Sequence, residues 1–247
     1  MTRLSVNLNK IALLRNARAL GIPSVTRAAT IALDAGAHGI TVHPRPDGRH
    51  IRIDDVRDLS VLLKRRPGIE FNIEGNPFEG LLEITREVLP QQCTLVPDEP
   101  GALTSDHGWD IPRNAQRLNP LIAELKSMGI RVSLFMDPVP DMMAAVRDLG
   151  ADRVELYTEP YAQAFGQANE QAVLAKYAAA AIAAGNAGLG VNAGHDLNQQ
   201  NLPRFVAGVP QVIEVSIGHA LVADAIEAGL AATVRGYLAA LAPSVPA

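Results

Sequence analysis

Strand-like and helical patterns alternate along the whole chain, and that alternation restricts the fold more than any other feature. Short apolar or alternating runs recur at Leu4–Asn9, Gly39–His43, Ile69–Glu74, Cys93–Val96, Arg131–Asp137, Arg153–Tyr157, Leu189–Asn192 and Val212–Ile217. Helical periodicity fills the gaps at Val25–Ala35, Asp54–Arg66, Phe78–Val88, Pro120–Met128, Asp141–Leu149, Glu170–Ala184 and near Asn201–Ala207, with a last helix over Ala220–Leu241. Ser24 fits the N-cap of the first of these. Gly36, Gly129 and Gly150 stand where a left-handed stop would end a helix before the next strand. Eight strands alternating with helices, at roughly thirty residues per unit, predict an α/β fold: a (β/α)8 TIM barrel with extra short helices and a long loop after strand four. No low-complexity linker divides the chain, so residues 1–247 read as one barrel domain. An open doubly wound sheet is the alternative, but it usually has fewer strands, and no Gly-x-Gly-x-x-Gly turn follows strand one.

The strands carry a second message. Alternate residues put Ser5, Asn7 and Asn9 on one face of strand one and Glu70, Asn72 and Glu74 on one face of strand three. Strand five contributes Arg131, Ser133 and Asp137, strand six Arg153, Glu155 and Tyr157, strand eight Glu214, Ser216 and Gly218. The apolar faces must meet the helices, so these polar faces point inward. A barrel filled this way needs a hydrogen-bonded ionic network, because buried unpaired charges are costly. Arg131 and Arg153 are expected to pair with some of Glu70, Glu155 and Glu214.

In such a barrel the C-terminal strand ends meet on one rim, where chemistry is carried out. That rim collects Asn7, Asn9, Lys10, His43, Arg45, Glu74, Glu155, His195 and His219. Histidines and carboxylates together suit repeated proton transfer near neutral pH. Gly194-His195-Asp196 follows strand seven, and Gly218-His219 follows strand eight and opens the last helix, a pairing suited to phosphate. Arg15 and Arg18 either coat a solvated helix face or add an anion contact, in cis or from a neighbouring subunit. Residues 97–117 form a long connection containing Pro100, Gly101, Thr104, Gly108 and Trp109, as a functional cover would. His38, His107 and Arg49 read as ordinary surface residues.

Composition excludes some functions. A net charge of −4 gives no electrostatic case for nucleic acid or an anionic membrane. A single cysteine, Cys93, rules out an internal disulfide and a Cys-based zinc site. Residues 1–21 lack the apolar core of a secretory signal, and the longest apolar run, Ala178–Gly185, is too short to span a bilayer, so a cytoplasmic protein is expected. Of the four lysines only Lys10 lies near a strand end, which disfavours Schiff-base chemistry, and strand one carries Asn7-Leu8-Asn9 where many metallohydrolases have His-x-His. The mixed His/Glu rim still leaves a metal open.

Six stretches together resemble one family: Val6 to Arg18, Gly39 to Arg45, Phe71-Asn72-Ile73-Glu74, Leu95-Val96-Pro97, Val191 to His195 and Ile217-Gly218-His219 are similar, in order and spacing, to the pyridoxine 5'-phosphate synthases. The resemblance implies a (β/α)8 barrel without metal or redox cofactor, assembled as a homo-octamer of dimers, with no nucleic acid or membrane partner. It implies condensation of 3-amino-2-oxopropyl phosphate with 1-deoxy-D-xylulose 5-phosphate to pyridoxine 5'-phosphate, phosphate and water. By resemblance His43 is the proton acceptor, Glu74 and His195 take the other catalytic positions, and Glu155 lines the same pocket. Asn7, Asp196, Gly218 and His219 fall on contacts to the amino-ketone phosphate. Arg18, Arg45, His50 and Thr104 fall on contacts to the second substrate or anion site, with Asn9 and Lys10 beside them. Some members carry Asp-His where this chain has Asn9-Lys10, and glycine where it has Asp196. The remaining alternatives are a phosphosugar isomerase, epimerase or aldolase on the same barrel, or a non-catalytic phospho-ligand carrier.

Overall fold

In the computed structural model, which describes residues 1–99, 101–102 and 104–242, all eight strand-like runs form strands. The chain runs β1 (Arg3–Asn7), α1 (Asn9–Asn16), α2 (Val25–Asp34), β2 (Gly39–Val42), α3 (Ile53–Leu63), β3 (Glu70–Gly75), α4 (Leu81–Val88) and β4 (Gln92–Leu95). It continues with α5 (Ile111–Ser127), β5 (Arg131–Met136), a 3-10 turn (Pro140–Met142), α6 (Met143–Asp148), β6 (Arg153–Tyr157), α7 (Glu159–Ala164) and α8 (Glu170–Asn186). β7 (Gly190–Gly194), α9 (Leu202–Gly208), β8 (Val212–Ile217), α10 (His219–Ala228) and α11 (Leu230–Ala240) complete it. Every strand pairs in parallel with its sequence neighbour and β8 pairs back with β1, so the sheet closes into a barrel. The open-sheet alternative is excluded.

Ser24 caps α2 by accepting from the Arg27 N–H, and Gly36, Gly129 and Gly150 have positive φ at the expected junctions. Three expectations change, and one of the expected extra short helices finds its place. Asn9 lies in α1, because β1 ends at Asn7 and the chain turns at Leu8. The helix expected from Pro120 begins at Ile111, where Asp110 accepts from the Arg113 N–H and Pro112 sits in the first turn; Pro120 is carried inside it. A short helix, α7, follows β6 directly. The last helix is two, divided at Gly229.

Leu4, Val6, Ile40, Val42, Ile73, Cys93, Leu95, Val132, Leu134, Val154, Leu156, Val191 and Val215 form the outward faces of the strands and are buried beneath the helices. The opposite faces turn to the axis and are polar. Arg131 pairs with Glu70; Arg153 lies 3.7 Å from Glu70 and 3.6 Å from Glu214. Asn192 accepts from Arg153 at 3.1 Å and donates to Glu214 at 3.3 Å. Nearer the mouth, Ser5 bonds Thr41 at 2.7 Å, Asn72 donates to Thr41, and Thr94 donates to Asn72 at 3.0 Å. Two of the three expected carboxylates take the arginines; Glu155 sits higher, with the mouth residues.

Arg153 bridges both acids of this layer, so Arg153→Met leaves Glu214 without a guanidinium. Burial already raises Glu214 to about 8, so it can take up a proton in place of the guanidinium, and the variant is expected to lose about 1–3 kcal/mol of stability at pH 7, measured by urea unfolding.

Candidate active site

A cavity of 520 Å³ opens at the C-terminal ends of the strands. Thirteen of the fourteen residues expected at the site line it: Asn7, Asn9, Lys10, His43, Arg45, His50, Glu74, Thr104, Glu155, His195, Asp196, Gly218 and His219. Arg18 does not; it is exposed on the turn after α1. Arg15 is not an anion contact within this chain, because its guanidinium is taken by Asp55 and the His50 carbonyl. Asn16 donates to the carbonyls of Gly48, Arg49 and His50, at 3.2, 3.0 and 2.8 Å. Together these two residues pin the loop that carries His50, and Pro44 pairs with Ile51 to close that loop.

His43 stands at the end of β2, 6% exposed. Its main-chain N–H donates to Asn9 Oδ1 at 2.9 Å, so the start of α1 anchors the strand end. Its ring lies between two acids: Nδ1 is 3.9 Å from Glu74 Oε1 and Nε2 is 3.8 Å from Asp98 Oδ2. Asn7 donates to Glu74 Oε1 at 3.0 Å and accepts from the Asn9 N–H at 2.9 Å. Asn7 and Asn9 therefore hold the Glu74 carboxyl and the main chain at His43 in place.

Burial dominates the proton affinities here. It pushes Glu74 up to about 7, aided by nearby Asp98 and opposed by hydrogen bonds from Asn7 and Asn9. Glu155 is driven well above the ordinary carboxylate range by burial and by Glu74 and Glu214. His43 falls well below 6.5 through burial and the charges of Arg45, His50, His195 and Arg49. His50 falls to about 4, chiefly through burial, with Arg45 and Arg49 adding to it. Its Nδ1 accepts the Ile51 N–H at 2.9 Å, so neutral His50 presents Nε2–H as a donor. His195 is lowered by burial, which Asp196, Asp98 and Glu159 partly offset. Near pH 7 the site thus sets neutral His43 and His50 beside a Glu155 that keeps its proton and a Glu74 near its midpoint.

His195 and Asp196 follow β7 with φ of +86° and +55°, a left-handed pair without glycine. Thr158 Oγ1 donates to the carbonyls of Gly194 and His195, both at 2.6 Å, and Asn201 donates to the Asp196 carbonyl at 3.2 Å. The His195 ring packs edge-on against Phe135 and Tyr157, with centroids 5.5 and 5.4 Å away. Tyr157 is held in turn by Glu159. The glycines expected to admit an anion also serve packing: a Cβ at Gly194 would collide with the Glu155 carboxylate, and one at Gly218 would press on Asn7. No side chain caps the N-terminus of α10 at Gly218.

The loop after β4 returns across the mouth. Trp109 donates its indole N–H to the Leu95 carbonyl at 2.9 Å and its main-chain N–H to the Phe135 carbonyl at 3.0 Å. Pro100 lies outside the described residues. Arg49 is no free surface charge: it pairs with Asp47, donates to the Ala102 carbonyl at 2.9 Å and lines the cavity. His38 is half-buried and accepts the Leu4 N–H, while His107 stays exposed beside Asp106. Asp98, Phe135 and Glu159 are site residues that sequence reasoning did not single out. Among the described residues, no group of three His, Cys, Asp or Glu is arranged to hold a metal, and no helix is long and apolar enough to cross a membrane.

Comparison with known proteins gives two levels of likeness. The family model of the pyridoxal phosphate biosynthesis protein PdxJ matches residues 4–243. The pyridoxine 5'-phosphate synthase of Albidiferax ferrireducens is 60% identical over 246 residues, covering 98% of both chains. That of Xanthomonas campestris is 59% identical over 248 residues, covering 98% of this chain and 96% of the relative, and that of Xylella fastidiosa is 56% identical over 244 residues, covering 96% and 94%. Among solved structures, a tryptophan synthase from M. tuberculosis superposes with a TM-score of 0.65 at 14% identity, covering 97% of this chain and 92% of that one. The 3-keto-L-gulonate-6-phosphate decarboxylase of Vibrio cholerae gives 0.64 at 12%, covering 98% and 99%. These last two show the barrel fold alone.

The raised carboxyl groups leave a signature in stability. The lowered His43, His50 and His195 act in the opposite sense, since their unfolded forms still bind protons near 6.5 and stability rises with pH as these are lost. They are common to wild type and a Glu74 variant, so the comparison isolates Glu74. Glu74, with its folded value raised, binds more proton folded than unfolded between its ordinary value and about 7, so its stabilising contribution is lost as pH rises through 7. Glu74→Gln is expected to remove about 1 kcal/mol of the decline between pH 6.5 and 8, read from urea unfolding across that range.

Proposed function

The chain belongs to the PdxJ family of pyridoxal phosphate biosynthesis proteins, and from that premise we propose how its barrel mouth makes pyridoxine 5'-phosphate. The reaction is a ring-closing condensation of 3-amino-2-oxopropyl phosphate with 1-deoxy-D-xylulose 5-phosphate. It needs several proton transfers on opposite faces of a growing ring: amine attack on a ketone, loss of water, loss of phosphate, and closure. An isomerase needs only one or two such groups, and a carrier none. The observation that carries the reading is the position of His43 between Glu74 and Asp98, with Glu155 and His195 lining the same cavity.

In this reading neutral His43 is the first proton acceptor, taking the proton lost by the attacking amine. Glu74, near 7, can give a proton to a departing hydroxyl and later take one back. Glu155, kept protonated by burial, donates from the barrel axis, and His195 serves the face opposite β2. The amino-ketone phosphate is assigned to the main-chain N–H groups at Gly218 and His219, where the α10 dipole favours an anion, with Asn7 and Asp196 beside it. The Asp196 carboxylate must then turn away from the phosphate and offer its N–H. Arg45, His50 and Thr104 are assigned to the deoxyxylulose phosphate, with Asn9 and Lys10 at the same edge. No step is assigned to a metal or redox cofactor.

The reading extends to a homo-octamer of dimers working in the cytoplasm. Leu14, Leu20 and Ile22 are 55%, 64% and 65% exposed around Arg18, which suits burial against a second copy and delivery of Arg18 to a neighbour's site.

His43→Ala is expected to lower kcat by about 10²–10⁴-fold while unfolding at nearly the wild-type denaturant concentration. Mixing both substrates with purified protein and following pyridoxine phosphate by absorbance and fluorescence checks this. Near-normal turnover by the variant would remove His43 from its role, and turnover of a single sugar phosphate would favour an isomerase.

A further inference from the structure

Asp98 lies just past β4 and is 6% exposed. One oxygen, Oδ2, faces two partners: it binds Arg45 Nη2 and stands 3.8 Å from His43 Nε2. At that distance it makes no hydrogen bond to the imidazole; an approach of about 1 Å would be required. The main chain beneath it is fixed, because Asn76 donates to the Asp98 carbonyl at 2.8 Å. Side-chain rotation alone therefore decides how the oxygen is shared. Gly75 leaves His43 Nε2 room, since a Cβ there would lie 3.3 Å from it.

We infer that Asp98 is a positioning residue that couples anion binding at Arg45 to the proton affinity of His43. The inference rests on the assignment of Arg45 to a substrate phosphate and of His43 to proton transfer. Without substrate, Arg45 is neutralised by Asp98 and the imidazole keeps only a distant share of that carboxylate. A phosphate dianion presents several oxygens to the guanidinium fork and competes for it. The released Oδ2 can then close on Nε2, and a carboxylate in contact favours the imidazolium. The base thus gains strength when the second substrate's phosphate is in place. The other charged or titratable groups facing His43 are Arg45, Arg49 and His50 from the loop after β2, Glu74 from β3 and His195 after β7. The cationic ones among them disfavour its protonation, so Asp98 and Glu74 are the counterweights.

The test combines binding and turnover. Inorganic phosphate is titrated calorimetrically into the wild-type protein, Asp98→Asn, Asp98→Glu, Arg45→Ala and the Asp98→Asn/Arg45→Ala double variant. Asp98→Asn should bind phosphate about tenfold more tightly, and the gain should vanish in the double variant. In the synthesis assay Asp98→Asn should lower both kcat and the KM for the deoxyxylulose phosphate, and shift the acidic limb of the kcat profile to lower pH. Asp98→Glu, which keeps the charge, should restore the limb and the wild-type phosphate affinity within about threefold. Unchanged or weaker phosphate binding by a folded Asp98→Asn, or a gain that persists without Arg45, overturns the coupling. An unmoved pH limb does so as well. If the wild-type protein made no product, the functional reading would fail on its own, while the phosphate titrations would still decide whether Asp98 competes for Arg45.

Discussion

Glu70 receives guanidinium groups from two neighbouring strands inside the barrel, and much of the architecture depends on that arrangement. Eight parallel strands have only two faces to distribute. The helices demand the apolar face, so whatever the strands need for chemistry at the mouth must grow from the inward one. Filling that axis with Arg131, Arg153, Glu70, Asn192 and Glu214 keeps the lower inward face polar, and only at the rim do Val96, Phe135 and Tyr157 add an apolar wall. A carboxylate such as Glu155 can then stand one layer above without facing hydrocarbon. A network in which every member leans on another tolerates little piecemeal change.

The mouth shows how one environment yields groups of opposite use. Desolvation lifts Glu74 and Glu155 and lowers His43, inverting the usual order, so near neutral pH a carboxyl can hold a proton beside an imidazole that lacks one. The asparagines refine this: Asn7 reaches Glu74, and Asn9 holds the end of β2. Arg15 and Asn16 act one step further out, fixing three consecutive carbonyls of the loop that carries His50. Residues that never face the cavity thus determine where its donors point.

Much of this was legible in the sequence. Period-two alternation marked the strands and their polar faces, and glycine stops marked the junctions, so the rim residues could be collected before any coordinates. What escaped did so for physical reasons. α1 lacks a side-chain cap and an acidic first turn, so nothing in its residues announced a helix start. Pro120 read as a beginning although the helix passes through it. Asp98 sits among Glu99, Asp106 and other loop charges, and only three-dimensional proximity to Arg45 and His43 separates it from them. Phe135 interrupts the polar face of β5 and forms an apolar wall of the site, which the polar alternation of that strand did not mark. The same holds for Gly194, whose missing side chain makes space for Glu155 as much as for any ligand.

The left-handed pair at the end of β7 has a consequence for how this barrel can change over time. Non-glycine residues in that region each cost on the order of 1–3 kcal/mol, and Thr158 and Asn201 restrain both carbonyls against relaxation. A mutation that eased the backbone there would be gained cheaply by a lineage under pressure for heat resistance. It would also free the one imidazole whose orientation depends on that twist. Thermal hardening and the set of the His195 ring are thus opposed at a two-residue turn, and a more durable barrel that kept that ring in place would have to find its stability elsewhere.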